Sequence, residues 1–114
     1  MLYNSTRDGK NKISAAEAIA TGLARDGGLF VPDTIPALNP EDIKELCNMD
    51  YRQRAVKVMS MFLEDFTVSE LEVFAGKAYG LNYDTPDIAP VKTLNSNTHC
   101  LELWHGPTCA FKDM

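Results

Sequence analysis

The sequence predicts a mixed α/β fold, in which about four helices pack on a small sheet. Polar helix-capping signals at Ser14, Asn39, Asp50 and Thr67 each precede a stretch with apolar residues at helical spacing. Short runs that alternate apolar and polar residues, typical of strands, lie near both ends of the chain. We expect the sheet to combine an N-terminal strand with a strand pair between residues 91 and 104.

The N-terminal third of the chain predicts two strands around a short helix. Residues 2–6 roughly alternate apolar and polar side chains, as a strand does. Ser14 opens a capping box, so a helix is expected over residues 15–21, with Gly22 at its end. A brief apolar strand is expected at residues 29–31. The expected buried stripe of the helix consists of Ile13, Ala16, Ile19 and Ala20, with Leu23 just beyond.

Three more helices are expected in the middle of the chain. Asn39, followed by a proline and two acids, predicts a short helix that ends near Cys47. Asp50 begins the next helix and Thr67 begins the last, which should end at Gly80. Apolar residues recur at helical spacing in these two helices, and we interpret them as core. They are Tyr51, Ala55, Val58, Met59, Phe62 and Leu63, then Leu71, Phe74, Ala75, Ala78 and Tyr79.

The C-terminal segment predicts a hairpin that leads into a lysine-bearing turn. Residues 91–94 and 98–104 are typical of two strands joined by a polar turn. The Gly106-Pro107 pair then ends the second strand. Thr108 is placed to cap a following helix, whose first turn would contain Lys112.

Lys112 is the candidate catalytic residue of this segment. A helix N-terminus disfavours a lysine ammonium, and an apolar wall from Trp104, Ala110 and Phe111 would act in the same direction. The uncharged amine is the form that Schiff-base chemistry requires. The pattern therefore favours a lysine that reacts with a carbonyl group, against the commoner case of a solvated surface lysine.

Two other kinds of site have weaker support in the same segment. His105 and Cys109 have a metal-like spacing, but a closed zinc site needs four ligands and a catalytic one usually three. Cys109 would need an activating base to act as a nucleophile, and His105 could supply one. We expect no metal site, and the ordinary role of His105 would be a ring that hydrogen-bonds backbone at the strand end.

Composition excludes several classes of protein. The 114 residues have a formal net charge of −5, which argues against nucleic-acid binding. The three cysteines form no CxxC pair and no disulfide framework, which is typical of a reducing compartment. Neither a signal-peptide core nor an apolar run of membrane-spanning length occurs. We expect a cytoplasmic protein that binds neither nucleic acid nor membrane.

Three blocks of the sequence resemble the threonine synthase family. Residues 105–113, His-Gly-Pro-Thr-Cys-Ala-Phe-Lys-Asp, are similar to the lysine motif of that family, and the Leu-Glu-Leu at 101–103 also matches. Residues 3–7, Tyr-Asn-Ser-Thr-Arg, and the block at 22–32 resemble the opening blocks of the family. The helical region 39–79 agrees in order and composition, so the resemblance covers nearly the whole chain.

The resemblance implies a pyridoxal-phosphate enzyme of fold type II, like tryptophan synthase β. Such an enzyme converts O-phospho-L-homoserine and water to L-threonine and phosphate. The resemblance implies that Lys112 holds pyridoxal 5′-phosphate covalently and shuttles protons when it is freed. It also implies that His105, Thr108 and Asp113 shape the pocket or bind the substrate.

The resemblance further implies a division of the chain into an N-terminal domain at 1–80 and the start of the cofactor-binding catalytic domain at 81–114. Family enzymes run several hundred residues, so we expect an N-terminal portion that is inactive alone, with its oligomeric state left open. Two alternatives stay open. One is a related phospho-lyase that releases a keto acid and ammonia. The other is a helical interaction module without chemistry, suggested by the apolar stripe between Tyr51 and Tyr79.

Overall fold

The computed structural model describes residues 1–114 as four α-helices, two pairs of strands and one 3₁₀ turn. The elements in chain order are β1 Tyr3–Ser5, α1 Ala15–Thr21, β2 Phe30–Pro32, α2 Pro40–Cys47, α3 Tyr51–Phe62, α4 Val68–Ala78, β3 Val91–Asn95, β4 Thr98–Leu101 and the 3₁₀ turn Phe111–Asp113. The predicted mixed class with four helices is confirmed.

The strands form two separate antiparallel sheets, so the single sheet that we expected is wrong. β1 pairs with β2, and β3 pairs with β4. Each strand pairs with the strand that is next to it in chain order, and the β3–β4 hairpin is exposed along most of its length. The second strand also ends at Leu101 rather than Trp104. Glu102 donates its N–H to the Pro90 carbonyl at 3.0 Å, but proline has no N–H to continue the ladder.

The helices begin where the sequence predicts, because their capping residues make the expected hydrogen bonds. The side chains of Asn39, Asp50 and Thr67 each accept a hydrogen bond from a backbone N–H of the first turn. In each case a side chain of that turn accepts the backbone N–H of the capping residue. The Ser14 hydroxyl accepts the Glu17 N–H at 3.2 Å. No helix in the structure is both long and apolar enough to cross a lipid bilayer.

The main core lies between α3 and α4. Val56, Leu71 and Ala75 are buried there, so Leu71 and Ala75 of the predicted stripe are confirmed as core, whereas Val56 was not predicted. The residues that pack against this cluster are Met59, Leu63, Phe66 and Tyr79. Three residues predicted to be core are exposed instead, Val58 at 39%, Phe74 at 48% and Ala78. Phe74 meets only the edge of the Phe66 ring, with 5.9 Å between the ring centroids.

The predicted buried stripe of α1 is wrong by a rotation of the helix. Ala15 and Ala18 are buried, whereas Ile19 is 63% exposed and Leu23 is 62% exposed. Ala15 and Ala18 line the same open hollow as Tyr3 of β1 and Phe30 of β2, so the small residues of α1, and not its isoleucine, are covered. Ile19 also borders this apolar hollow, which has a volume of about 370 Å³.

Candidate functional site

Lys112 lies in the middle of the 3₁₀ turn, and its side chain is exposed. The predicted α-helical turn capped by Thr108 is therefore wrong, since the turn begins after Ala110 without a side-chain cap. The expected apolar wall is also incomplete within these residues. The Lys112 Nζ lies 6.0 Å from the Phe111 ring centroid, and the Trp104 ring packs on its own neighbour His105 at 5.6 Å between centroids.

Asp113 fixes the backbone immediately after Lys112. Its carboxylate accepts the Thr108 N–H at 2.8 Å and the Thr108 Oγ1 hydroxyl at 2.7 Å. Both bonds lower the pKa of Asp113 because they stabilise its charged form, and the bond from the hydroxyl has the larger effect. The main-chain carbonyl of Asp113 accepts a hydrogen bond from the Tyr83 hydroxyl. Side chain and main chain of one residue thus both hold the turn.

Gly106 is buried directly against Asp113. A Cβ atom at position 106 would lie 2.5 Å from the Asp113 Cβ and 2.6 Å from its Oδ2, far inside ordinary contact distance. The loop closes tightly because Cys109 adopts a left-handed conformation, with φ of 56°, and donates its N–H to the Gly106 carbonyl at 3.1 Å. Glycine is therefore required at 106 for the observed position of the lysine turn.

Tyr83 connects the lysine turn to the helices. Its ring is 8% exposed and lies 6.1 Å from the Tyr79 ring, which in turn meets the Tyr51 ring edge-on at 4.9 Å. Burial raises the pKa of Tyr83, so its hydroxyl stays protonated and donates to Asp113 at neutral pH. A row of aromatic rings thereby joins α3 and α4 to the segment that carries Lys112.

His105 lies between two carboxylates. Its Nδ1 is 2.5 Å from Asp84 Oδ1, and its Nε2 is 2.8 Å from Glu102 Oε2. Glu102, followed by Asp84, raises the pKa of His105 by hydrogen bonding to the charged ring. The expectation that this ring bonds to backbone is wrong. Since both nitrogens already face carboxylates, neither is placed to activate Cys109 or to bind a metal with it.

The structure brings three of the predicted residues together, because Thr108 and Asp113 bond to each other on either side of Lys112. His105 lies one residue before the glycine that packs on Asp113. Sequence reasoning missed Tyr83, which is 30 positions from its partner and has no local signal. It also missed Glu102, for which the only signal was a carboxylate three residues from a histidine.

The arrangement is suited to a lysine that forms and releases a covalent bond. The main chain around Lys112 is held by Asp113, while the amine remains accessible to a carbonyl compound. A fixed attachment point limits the positions that the amine can reach, and this restriction lowers the entropic cost of reaction.

Comparison with known proteins identifies the family of this chain. A family model described as the threonine synthase N terminus matches residues 2–79. The chain belongs to the threonine synthase family. A threonine synthase of Schizosaccharomyces pombe is 38% identical over 98% of this chain and 22% of its own length. The protein named threonine synthase-like 1 of Pongo abelii is 40% identical over 95% of this chain and 15% of its own length.

A solved structure supports the same assignment. The crystal structure of a pyridoxal-phosphate-bound threonine synthase from Brucella melitensis matches with a TM-score of 0.90 and 35% identity, over 99% of this chain and 24% of that one. The chain therefore spans between 15% and 24% of the length of these three relatives. The expected fold, that of an N-terminal part of these enzymes, is confirmed.

Proposed function

We propose that the polypeptide carrying these residues is a threonine synthase, which converts O-phospho-L-homoserine and water to L-threonine and phosphate with pyridoxal 5′-phosphate held on Lys112. The observation that carries the proposal is the lysine turn, with a backbone fixed at Asp113 and an exposed amine. Family membership supports it, and so does the cofactor in the Brucella relative.

The residues of the turn fit a covalently held carbonyl cofactor. Lys112 has no ion-pair partner among the described residues, so its amine is free to react. Gly106 and Asp113 hold its main chain, and the flexible side chain alone sets the reach of the amine. When bound, pyridoxal phosphate supplies an electron sink that stabilises negative charge on carbon.

The polar residues of the turn support Lys112 in this proposal. The amine of Lys112, once free, takes and returns protons at the substrate carbon atoms. Thr108 and Asp113 direct their polar atoms at each other, and the charge of His105 is already matched by two carboxylates. These three residues therefore shape the pocket by holding its wall.

Two further expectations remain proposals. We place the boundary between the N-terminal domain and the lysine-bearing segment at residues 80 and 81, where support comes from the end of the family match at 79 and of α4 at Ala78. We also expect a cytoplasmic location. The three unpaired cysteines support a reducing compartment, because two of them, Cys47 and Cys109, are exposed thiols.

Product analysis tests the proposed reaction. The natural polypeptide that carries these residues is incubated with pyridoxal phosphate and O-phospho-L-homoserine, and products are followed by proton and phosphorus NMR. We expect threonine and phosphate in equal amounts, and a loss of at least about a thousandfold in rate for Lys112→Ala. Lys92→Ala, at an exposed lysine of β3, is the matched control and should leave the rate unchanged. Normal turnover by Lys112→Ala would refute the proposal.

A phospho-lyase is the second candidate function. A relative with 40% identity is named threonine synthase-like 1 rather than threonine synthase, a name that does not specify its reaction. The same NMR experiment separates the two reactions, because both release phosphate but only the lyase yields a keto acid and ammonia. Threonine as the main product would exclude this candidate.

A further inference from the structure

Glu102 is a partly buried carboxylate that the proposed reaction does not use. Only 15% of its side chain is exposed, compared with 71% for Asp84 on the other side of the same histidine ring. Its Oε2 lies 2.8 Å from His105 Nε2, and its N–H donates to the Pro90 carbonyl at 3.0 Å. Glu102 is therefore fixed by its main chain while its carboxylate bonds the ring.

The two carboxylates together define the charge of His105. An ionised carboxylate only accepts hydrogen bonds, so each ring nitrogen must carry a hydrogen to bond to it. His105 is thus a cation between Glu102 on its own segment and Asp84 on the loop after α4. Asp84 also donates its N–H to the His105 carbonyl at 3.1 Å, so the loop holds this residue at main chain and side chain. The Trp104 ring packs on the imidazole and carries no charge.

His105 is connected to the lysine turn through the residue that follows it. The next residue, Gly106, is buried so closely against Asp113 that a Cβ atom at 106 would lie 2.5 Å from the Asp113 Cβ. A shift of His105 toward this contact would therefore displace Asp113 and, with it, the main chain of Lys112. From these contacts we propose that Glu102 is a positioning residue for Lys112, acting through the imidazolium ring of His105. The inference rests on the proposed role of Lys112 and deepens it.

The variant Glu102→Gln isolates the charge from the packing. Glutamine has nearly the same shape and still accepts a hydrogen from Nε2, but it does not stabilise the charged ring. His105 should therefore lose its proton at a lower pH in the variant than in the wild type. Once the ring is neutral, Nε2 can be held only if the glutamine amide turns and donates a hydrogen to it. That bond joins two neutral groups, whereas the wild-type bond joins two charged ones, so His105 is held more weakly. The Glu102→Asp variant keeps the charge and should restore most of the wild-type behaviour.

The rate of cofactor capture provides the test. The natural polypeptide, stripped of cofactor, is mixed with pyridoxal phosphate and quenched with borohydride at set times. Peptide mass spectrometry then gives the labelling rate of Lys112, with exposed Lys92 as an internal reference. For Glu102→Gln we expect labelling of Lys112 about threefold to tenfold slower than wild type near pH 8, and nearly equal to it near pH 6. Asp84→Asn should have the smaller effect, because Asp84 is mostly exposed.

The outcomes separate the inference from the function on which it rests. Identical pH profiles for wild type and Glu102→Gln would overturn the inference. A loss of labelling at both pH values, together with a lower unfolding temperature, would also overturn it, since Glu102 would then be merely structural. If the wild-type protein takes no label at Lys112, the proposed function fails instead.

Discussion

Asp113 holds the lysine turn through both its side chain and its main chain. It bonds twice to Thr108 through its carboxylate and once to Tyr83 through its carbonyl. Bonds to an ionised acceptor are stronger than neutral ones, so the charge of Asp113 matters to the turn. The exposed Lys112 beside it can move while its attachment point stays in place.

Acid should open this turn. The hydrogen bonds from Thr108 lower the pKa of Asp113 below its ordinary value of 3.8. Because the pKa is lowered by folding, ionised Asp113 stabilises the folded state fully above the ordinary pKa of 3.8. This stabilisation is lost as the pH falls through the lower pKa of the folded state. In an NMR titration, the Thr108 amide shift should change in a step centred below pH 3.8. Asp113→Asn should lack this step, and a midpoint above 3.8 would contradict the structure.

Gly106→Ala should displace the lysine turn. The new methyl carbon would lie 2.5 Å from the Asp113 Cβ, so Asp113 must move and its bonds to Thr108 must break. We expect cofactor capture at Lys112 to fall by about tenfold or more, as a misplacement of about 1 Å does in other sites. The matched control is Gly9→Ala, where nothing lies within 4 Å of the new atom. Equal capture by both variants would show that the close approach has no role.

At the scale of single residues, the sequence indicated candidate site residues but not their contacts. The motif pointed to His105, Thr108, Lys112 and Asp113, but an α-helical cap was expected where Asp113 instead bonds back to Thr108. A local pattern indicates that a threonine can cap a helix, but its hydroxyl can form hydrogen bonds with several other groups. Which partner it bonds to is decided only by the geometry of the folded loop.

At the scale of secondary structure, helix starts were predictable and buried faces were not. Capping depends on neighbours within a few residues, so Asn39, Asp50 and Thr67 could be identified from the sequence alone. The inward face of α1 depends on what packs against it. Ala15 and Ala18 are buried while the larger Ile19 is exposed, and nothing within the helix sequence indicates this orientation.

The α3–α4 pair should tolerate substitutions according to burial. Leu71 is 1% exposed and packs in the core, so Leu71→Ala should lower the free energy of unfolding by about 2–5 kcal/mol. Val73 lies on the same helix but is 52% exposed, and Val73→Ala should change the free energy of unfolding by less than about 0.5 kcal/mol. Denaturant titration of both variants is the measurement. Effects of similar size would contradict the placement of the core.

At the scale of the whole molecule, these residues form an open arrangement. The radius of gyration is 16.5 Å, whereas a compact domain of this size has about 13 Å. Many large apolar side chains are exposed, among them Ile35 at 78% and Phe111 at 65%. Large exposed apolar surfaces are typical of contact regions, and the chain spans at most about a quarter of the length of the relatives named above. We infer that these faces pack against the rest of a family-length protein.

Residues 1–114 alone should therefore be inactive. The exposed apolar faces would bind a hydrophobic dye such as ANS, and the amine of Lys112 would lack the remainder of its pocket. We expect no threonine from O-phospho-L-homoserine and strong dye fluorescence, measured beside the natural polypeptide as control. Threonine formation by these residues alone would contradict the expectation.

The separation into two sheets was not predictable from the sequence, because strand patterns do not specify partners. The hydrogen bond from Tyr83 to Asp113 was also not predictable, because it joins residues that are 30 positions apart in the chain. The mixed class and the family were nevertheless accessible, because helix caps and motif blocks are local. What the sequence left open was the relative placement of those local units.

The position of the covalently bound cofactor tests the central claim most directly. The natural polypeptide is loaded with pyridoxal phosphate and reduced with borohydride, which makes the link to the protein permanent, and the modified peptide is identified by mass spectrometry. The account predicts a single modification on Lys112. A label on any other lysine of a fully active protein would contradict it.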